Sequence, residues 1–192
     1  MSEAPGKHDP TVLPPNIPVP EDDGATRHLT RIKLPDLALP ATSGGPVNLS
    51  KFKGRTVVYI YPRTGVPGQA LPTGWDAIPG ARGCTPQTCA FRDLFAELKA
   101  AGAANVFGLS TQDNAYQTEM ASRLHLPFPV LSDEKLQLTQ ALNLPTMEVA
   151  GLTLIKRLTL IIDAARITHV FYPVFPPDKN AEEVITWLQT AA

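Results

Sequence analysis

Two cysteines are the residues best suited to chemistry in this sequence. Of the 192 residues only two are cysteine, and both lie in Gly83-Cys84-Thr85-Pro86-Gln87-Thr88-Cys89, where a loop rich in Gly and Pro enters a predicted helix. A helix N-terminus offers unpaired N–H groups and the positive end of the helix dipole, which favour the nucleophilic thiolate over the thiol. Cys84 occupies that position and is therefore the candidate nucleophile.

The spacing of the two cysteines restricts how they can react with each other. Positions i and i+5 of a helix are separated by about 7.5 Å along the axis and by about 140° around it. A disulfide requires Cα atoms about 4.4–6.8 Å apart. Either Cys84 and Cys89 never pair, or the first turns of the helix unwind when they do.

The cysteine pair alone leaves two interpretations open. Both residues can be small buried hydrophobic side chains, or they can form a redox pair whose spacing differs from the C-x2-C of thioredoxin-type oxidoreductases. Two cysteines are too few for a disulfide scaffold or a four-ligand zinc site. Such a low number is typical of a reducing compartment, so we expect a cytoplasmic protein.

Strands and helices alternate along most of the chain. Strands are predicted at 56–61, 105–110, 128–131, 156–163 and 167–171, after a hairpin formed by 32–39 and 47–49. Helices are predicted from about 85, at 115–124, at 134–142 and at 182–190. This order predicts an α/β domain in which helices cover both faces of a mixed central sheet.

The first residues have a different composition. Six of the 20 prolines fall within the first 20 residues, and no hydrophobic periodicity accompanies them. We predict a mostly disordered, flexible arm at 1–26 and a domain at 27–192. The net charge of −1 argues against a nucleic-acid surface, and no apolar run is long enough for a membrane span or a secretory signal.

The surroundings of the cysteines resemble a known family. The string GCTPQTC, followed by Ala90-Phe91-Arg92-Asp93 and preceded by Tyr59-Ile60-Tyr61-Pro62, is similar to peroxiredoxins of the Q type, also called bacterioferritin-comigratory proteins. The likeness extends over about residues 30–190, through segments 33–36, 47–49, 108–111, 130–133 and 157–163. It implies a thioredoxin fold and a thiol peroxidase that needs no metal or organic cofactor.

The resemblance also implies residue roles. Cys84 is then the peroxidatic cysteine, which reduces hydrogen peroxide or organic hydroperoxides, and Cys89 is the resolving cysteine that forms an intrachain disulfide. Thioredoxin or a similar dithiol would recycle it, in a monomer or weak homodimer. Arg157 matches the family arginine that holds the thiolate and the peroxide. The alternative is a thioredoxin-fold redox sensor or binding protein without peroxidase turnover.

The pattern of residues around Arg157 also predicts where its side chain lies. Period-two alternation places it on the same side of an apolar strand as Thr159 and Ile161. A buried arginine needs an anionic partner, which a thiolate would supply. A solvated arginine at a strand end is the other interpretation. Arg82 and Arg92 also lie near Cys84 in the sequence and are candidates for stabilising its thiolate.

The sequence departs from the family in the loop before Cys84. The family places a Pro and a Thr or Ser there in a compact loop, whereas Ala77 and Ala81 occupy those positions here. Pro62 instead ends the preceding strand, and residues 63–83 form an apparent insertion, which is either a lid containing Trp75 and Asp76 or a plain surface loop. Thr64 is the candidate to replace the family hydroxyl, and Thr85 is a weaker one.

The four histidines offer no metal site by their spacing. His8, His28, His125 and His169 are isolated from cysteines and acids at ligand spacing, so we expect ordinary surface or packing roles.

Overall fold

The computed structural model describes residues 9–191, and these form nine strands and five α-helices. In chain order they are β1 (Ala38–Leu39), β2 (Val47–Asn48), β3 (Thr56–Ile60), α1 (Cys84–Asp93), α2 (Phe95–Ala100), β4 (Asn105–Ser110), α3 (Asn114–Arg123), β5 (Val130–Ser132), α4 (Gln137–Leu142), β6 (Thr146–Val149), β7 (Leu152–Ile155), β8 (Leu158–Asp163), β9 (Arg166–Phe171) and α5 (Asn180–Thr190). Short 3-10 helices occur at Leu49–Lys51, Trp75–Ala77 and Pro177–Lys179.

Five strands form the central sheet, in the order β5-β4-β3-β8-β9. The middle strand β3 pairs parallel with β4 and antiparallel with β8. All five residues of β3 are buried, as its β-branched and aromatic composition predicts. The predicted α/β fold with a mixed sheet is confirmed.

Alternate residues of β3 contribute to two separate cores. Val58 and Ile60 pack on the face covered by α4. Val57 and Tyr59 point to the opposite face, where α1, α2, α3 and α5 pack and where Cys84 lies. Helices therefore cover both faces, and the candidate nucleophile belongs to the face that holds most of them.

The small elements differ most from the sequence-based expectation. The hairpin of β6 and β7 was not predicted, because its residues are partly exposed and form no continuous apolar run. The predicted single helix from residue 85 is interrupted at Leu94, which separates α1 from α2. Helix α4 begins later than expected because Asp133 accepts hydrogen bonds from the backbone of Leu138 and Thr139.

The Pro-rich arm contacts the domain. Its first eight residues lie outside the described part of the chain, and residues 9–26 form no helix or strand. However, Pro10 is buried, and the Asp23 carboxylate accepts hydrogen bonds from Lys156 Nζ and the Tyr172 hydroxyl, each at 2.8 Å. The described part of the arm therefore contacts the domain, while the flexibility of 1–26 as a whole stays a prediction.

Candidate active site

Cys84 is the first residue of α1, at the position that the sequence analysis assigned to the nucleophile. Gly83 precedes it with a φ of 97°, a left-handed conformation that favours glycine. A Cβ atom at Gly83 would lie 2.2 Å from Pro177 Cγ and 2.9 Å from Leu13 Cδ1. The start of α1 is thus packed closely under the arm and the loop before α5.

Arg157 is the cation beside the Cys84 sulfur. Its Nη2 lies 3.2 Å from Cys84 Sγ and donates to the carbonyl oxygens of Gly80, Ala81 and Arg82 at 3.2, 3.2 and 2.9 Å. The Cys84 thiol in turn donates to Ala81 O at 3.5 Å. Both residues are only 3% exposed, so solvent screens the pair little. A guanidinium in this position stabilises a thiolate.

One buried amide holds the other side of the guanidinium, and a second buried amide holds the first. Gln87 Oε1 accepts from Arg157 Nη1, and Gln87 Nε2 donates to Asn180 Oδ1 at 3.0 Å. The Thr159 hydroxyl donates to the same Asn180 oxygen at 2.6 Å. Sequence reasoning missed Gln87 and Asn180. The available signal for Gln87 was its position three residues after Cys84 on the same helix face.

The structure does not place Thr64 at the sulfur. Its hydroxyl and its backbone N–H both donate to Gln112 Oε1, at 3.1 and 2.9 Å, and its carbonyl accepts from the Tyr116 hydroxyl. Thr64 is also absent from the residues that line the cavity at Cys84, whereas Thr85 is among them. The Thr64 hydroxyl is thus hydrogen-bonded to Gln112, and its role as the replacement for the family hydroxyl stays a prediction.

Cys89 lies on the same intact helix as Cys84 and is half-buried. Burial raises the pKa of its thiol, and the nearby Arg92 guanidinium partly opposes that effect. Arg92 itself donates to the Asp93 carboxylate at 2.8 Å and to Leu124 O at 3.1 Å. Arg92 is therefore close to Cys89, and its hydrogen bonds go to groups other than Cys84.

The inserted loop is packed against the domain. Trp75 is 3% exposed and forms a small core with Ala81, Val149 and Leu154. Arg82 Nη1 lies 3.3 Å from Asp76 Oδ1. The loop is thus held over the β6–β7 hairpin, and Trp75 faces the cavity at Cys84.

Metal ligands are not assembled in the described part of the chain. Within residues 9–191 no group of three His, Cys, Asp or Glu side chains could hold a metal ion. His28 Nε2 donates to Leu142 O at 2.9 Å, and His169 stacks on Trp187 with ring centroids 4.7 Å apart. Burial lowers the pKa of His169. His8 lies outside the described residues.

The helices found in residues 9–191 are all too short or too polar to cross a bilayer.

Comparison with known proteins agrees with this geometry. A sequence model of the redoxin family, described as Redoxin, matches residues 31–185. The chain is 35% identical over 158 residues to peroxiredoxin Q, chloroplastic, of Sedum lineare, covering 81% of this chain and 75% of that protein. The chain belongs to the redoxin family, as a peroxiredoxin of the Q type. Peroxiredoxin Q, chloroplastic, of Oryza sativa subsp. japonica is 36% identical over 158 residues, with 81% of this chain and 64% of that protein covered.

Solved structures give the same fold for this Q-type peroxiredoxin. The crystal structure of peroxidoxin BcpB from Mycobacterium tuberculosis has a TM-score of 0.68 and 26% identity, covering 85% of this chain and 97% of that one. Xanthomonas campestris peroxiredoxin Q has a TM-score of 0.66 at 23% identity, covering 83% and 96%. The predicted thioredoxin-like fold and the resemblance to Q-type peroxiredoxins are confirmed, and the chain is a hydroperoxide-reducing enzyme.

Proposed function

We propose that the enzyme works through a two-cysteine cycle that starts at Cys84. The Cys84 thiolate attacks one oxygen of the peroxide, the O–O bond breaks, and the sulfur becomes a sulfenic acid while water or an alcohol leaves with a proton. The Cys89 thiol then condenses with the sulfenic acid, which forms an intrachain disulfide and releases water. A dithiol such as thioredoxin reduces the disulfide, so sulfur carries both electrons throughout.

The observation that carries this proposal is the contact of 3.2 Å between Arg157 Nη2 and Cys84 Sγ at the start of α1. The cation favours the thiolate before the reaction and faces the position where negative charge develops on the leaving oxygen. Because Gln87 holds the opposite edge of the guanidinium, the donor is already oriented before substrate arrives.

The second step requires movement of α1. Both cysteines lie within Cys84–Asp93 as free thiols, and a helix keeps residues at this spacing too far apart for a disulfide. Cys89 is therefore a resolving residue only if the first turns of α1 unwind after Cys84 is oxidised. Cys89 packs, half-buried, against the same core as Cys84, and the intact helix keeps the two sulfurs apart until then.

A coupled assay with thioredoxin, thioredoxin reductase and NADPH tests the cycle. We expect hydrogen peroxide to drive NADPH oxidation, and Cys84→Ser to abolish it. The Cys89→Ser variant should still consume one equivalent of peroxide per chain but lose turnover with thioredoxin. Non-reducing mass spectrometry should show a Cys84–Cys89 disulfide within one chain. An intermolecular disulfide as the main product would show that Cys89 is not the resolving residue.

A redox sensor without turnover is the second candidate function. Two observations favour it: Ala81 stands where the family has a hydroxyl, and the sulfur is almost completely buried. In that case the same assay would show stoichiometric oxidation of Cys84 that thioredoxin does not reverse.

The proposal also includes the cellular compartment and the oligomeric state of the enzyme. We infer a reducing compartment, and specifically the cytoplasm, from the two cysteines and the transient disulfide. Plant relatives are named chloroplastic, so fractionation of the source cells decides between compartments. A monomer or weak homodimer is expected, and sedimentation of the reduced and the oxidised protein measures it.

A further inference from the structure

The cavity at Cys84 is very small. It measures about 20 Å³, and the Cys84 side chain beneath it is buried. A cavity needs roughly 10–15 Å³ to hold one water molecule, whereas pockets for larger organic ligands measure about 300–1,000 Å³. The site as it stands has room for one small molecule next to the sulfur.

This cavity is partly open to solvent, and we call four of its lining residues, which come from two segments, the cap. Pro10 and Val12 come from the N-terminal arm, and Leu71 and Trp75 come from the inserted loop. The remaining lining residues belong to the two ends of the inserted loop and to the first turn of α1: Arg63, Gly65, Ala81, Arg82, Gly83, Cys84 and Thr85. The cap is therefore built entirely from the two segments in which this chain departs from the compact domain.

Separate contacts hold each half of the cap in place. Trp75 is anchored in the small core with Val149 and Leu154. The arm is held further along by the hydrogen bonds of Asp23 to Lys156 and Tyr172. Both halves of the cap are attached to the domain. Displacing either half to admit a larger substrate would therefore break some of these contacts.

We propose that the cap makes the site selective for hydrogen peroxide over bulky organic hydroperoxides. Attack requires the peroxide oxygen to touch Cys84 Sγ, on a sulfur whose other side is occupied by Arg157 and the Ala81 carbonyl. The substituent of an organic hydroperoxide would then occupy the space of Trp75 and Pro10. This selectivity rests on the proposed function, because it assigns a substrate class to that same reaction.

The first test measures access to the sulfur without peroxide. In a Cys89→Ser background, Cys84 is alkylated by iodoacetamide and by N-(1-pyrenyl)maleimide, and the ratio of the two rates is compared between proteins. Each protein's thiolate fraction affects both rates equally, so the ratio reports the space around the sulfur. We expect Pro10→Gly with Val12→Gly to lower the ratio of small to bulky reagent by about tenfold, as a barrier difference of about 1.4 kcal/mol would.

The arm itself offers a matched control. Pro18→Gly with Val19→Gly makes the same chemical change at two arm residues that do not line the cavity, and Val19 is about as exposed as Val12, at 62% and 58%. The ratio of the two alkylation rates in this control should equal that of the protein with the unsubstituted arm. Trp75→Ala tests the other half of the cap and should lower the ratio at least as much. Equal ratios in all these proteins would overturn the proposal.

The second test uses the substrates. Stoichiometric oxidation of Cys84 is followed with hydrogen peroxide and with cumene hydroperoxide in the same set of proteins. We expect a preference for hydrogen peroxide of at least about tenfold that falls in the cap variants and persists in the control. If no protein reacts with either peroxide, the proposed function fails while the alkylation ratios still decide whether the cap excludes large molecules. An equal preference in cap variants and control would contradict the selectivity.

Discussion

At the scale of single residues, the chemistry depends on how Arg157 is held. One guanidinium nitrogen contacts Cys84 Sγ and three backbone carbonyls, while the other contacts Gln87. A lysine carries the same charge but lacks the planar fork that makes these contacts together. Arg157→Lys should therefore keep the fold but lower the second-order rate constant for hydrogen peroxide by about 100-fold, the effect of losing one well-placed donor.

Stopped-flow measurement of Cys84 oxidation checks this expectation. Arg166→Lys on β9 is the control, since Arg166 pairs with Asp163 at the end of β8 opposite Arg157 and donates to Arg31 O at 3.2 Å, and its rate should not change. Circular dichroism shows whether Arg157→Lys has folded. A folded variant with an unchanged rate would show that the guanidinium does not act on the reaction.

Sequence patterns predicted this site in part. The helix N-terminus and the alternation along 157–163 predicted buried positions for Cys84 and Arg157, and both are buried, although β8 begins one residue after Arg157. Gln87 and Asn180 were not predicted, because the sequence does not show which buried polar group a polar helix residue meets across the fold. The hydrogen bond from the Thr64 hydroxyl to Gln112 was also not predicted, because proximity to Pro62 in sequence does not fix where a hydroxyl points.

At the scale of elements, the packing of β4 against α1 depends on one glycine. A Cβ at Gly108 would lie 2.7 Å from the Tyr59 hydroxyl oxygen and 2.8 Å from its Cζ. The Tyr59 ring cannot move freely, since it is fully buried and stacks on Phe91 of α1 with centroids 4.3 Å apart. Gly108→Ala should lower the free energy of unfolding by about 1–3 kcal/mol, as overpacking of a core does.

Urea unfolding followed by circular dichroism measures this change. Gly45→Ala is the control, because a Cβ there meets nothing within 4 Å. Its unfolding midpoint should stay the same or rise slightly. If Gly108→Ala is as stable as Gly45→Ala, the ring of Tyr59 is not held tightly between β4 and α1.

The elements that sequence predicts well are the ones buried on both faces. Strands β3, β4 and β8 are almost wholly buried and have continuous apolar runs. The β6–β7 hairpin has a mixed burial pattern and was missed. The arm contacts were also missed, since a Pro-rich segment without periodicity carries no signal for the surface on which it packs.

At the scale of the whole molecule, Asp23 ties the arm to the domain. Hydrogen bonds from Lys156 and Tyr172 lower the pKa of its carboxyl group to about 2. A carboxyl with a depressed pKa contributes stability above its unfolded pKa of about 3.9 and loses that contribution as the pH falls through the folded value. Asp23→Asn should thus be less stable than the unsubstituted protein at pH 6, and the difference should shrink towards pH 2.

Urea midpoints at a series of pH values measure that difference. Asp22→Asn is the matched control, because the Asp22 carboxylate accepts only a local hydrogen bond from Gly24 N. The effect should be small, since Lys156 and Asp23 are 38% and 42% exposed and solvent screens exposed pairs. If Asp23→Asn lowers the urea midpoint by the same amount at pH 6 and at pH 2, the ionised Asp23 carboxylate does not stabilise the contact of the arm with the domain.

Oxidation should change the arm and α1 together. Gly83, at the start of α1, lies directly under Leu13 of the arm and under Pro177. Unwinding of the first turns, which a Cys84–Cys89 disulfide requires, removes the surface on which Leu13 packs. We therefore expect amide hydrogen exchange to rise on peroxide oxidation in residues 84–95 and also in residues 9–20.

Exchange measured by mass spectrometry on the reduced and the oxidised protein tests this coupling. The Cys89→Ser protein, which can form the sulfenic acid but not the disulfide, should retain the protection of the reduced state in both segments. Peptides from β3 serve as an internal reference, because that strand is fully buried in the centre of the sheet. Increased exchange in α1 with unchanged exchange in the arm would show that the cap stays closed during resolution. Unchanged exchange in both segments would mean that the disulfide forms without unwinding.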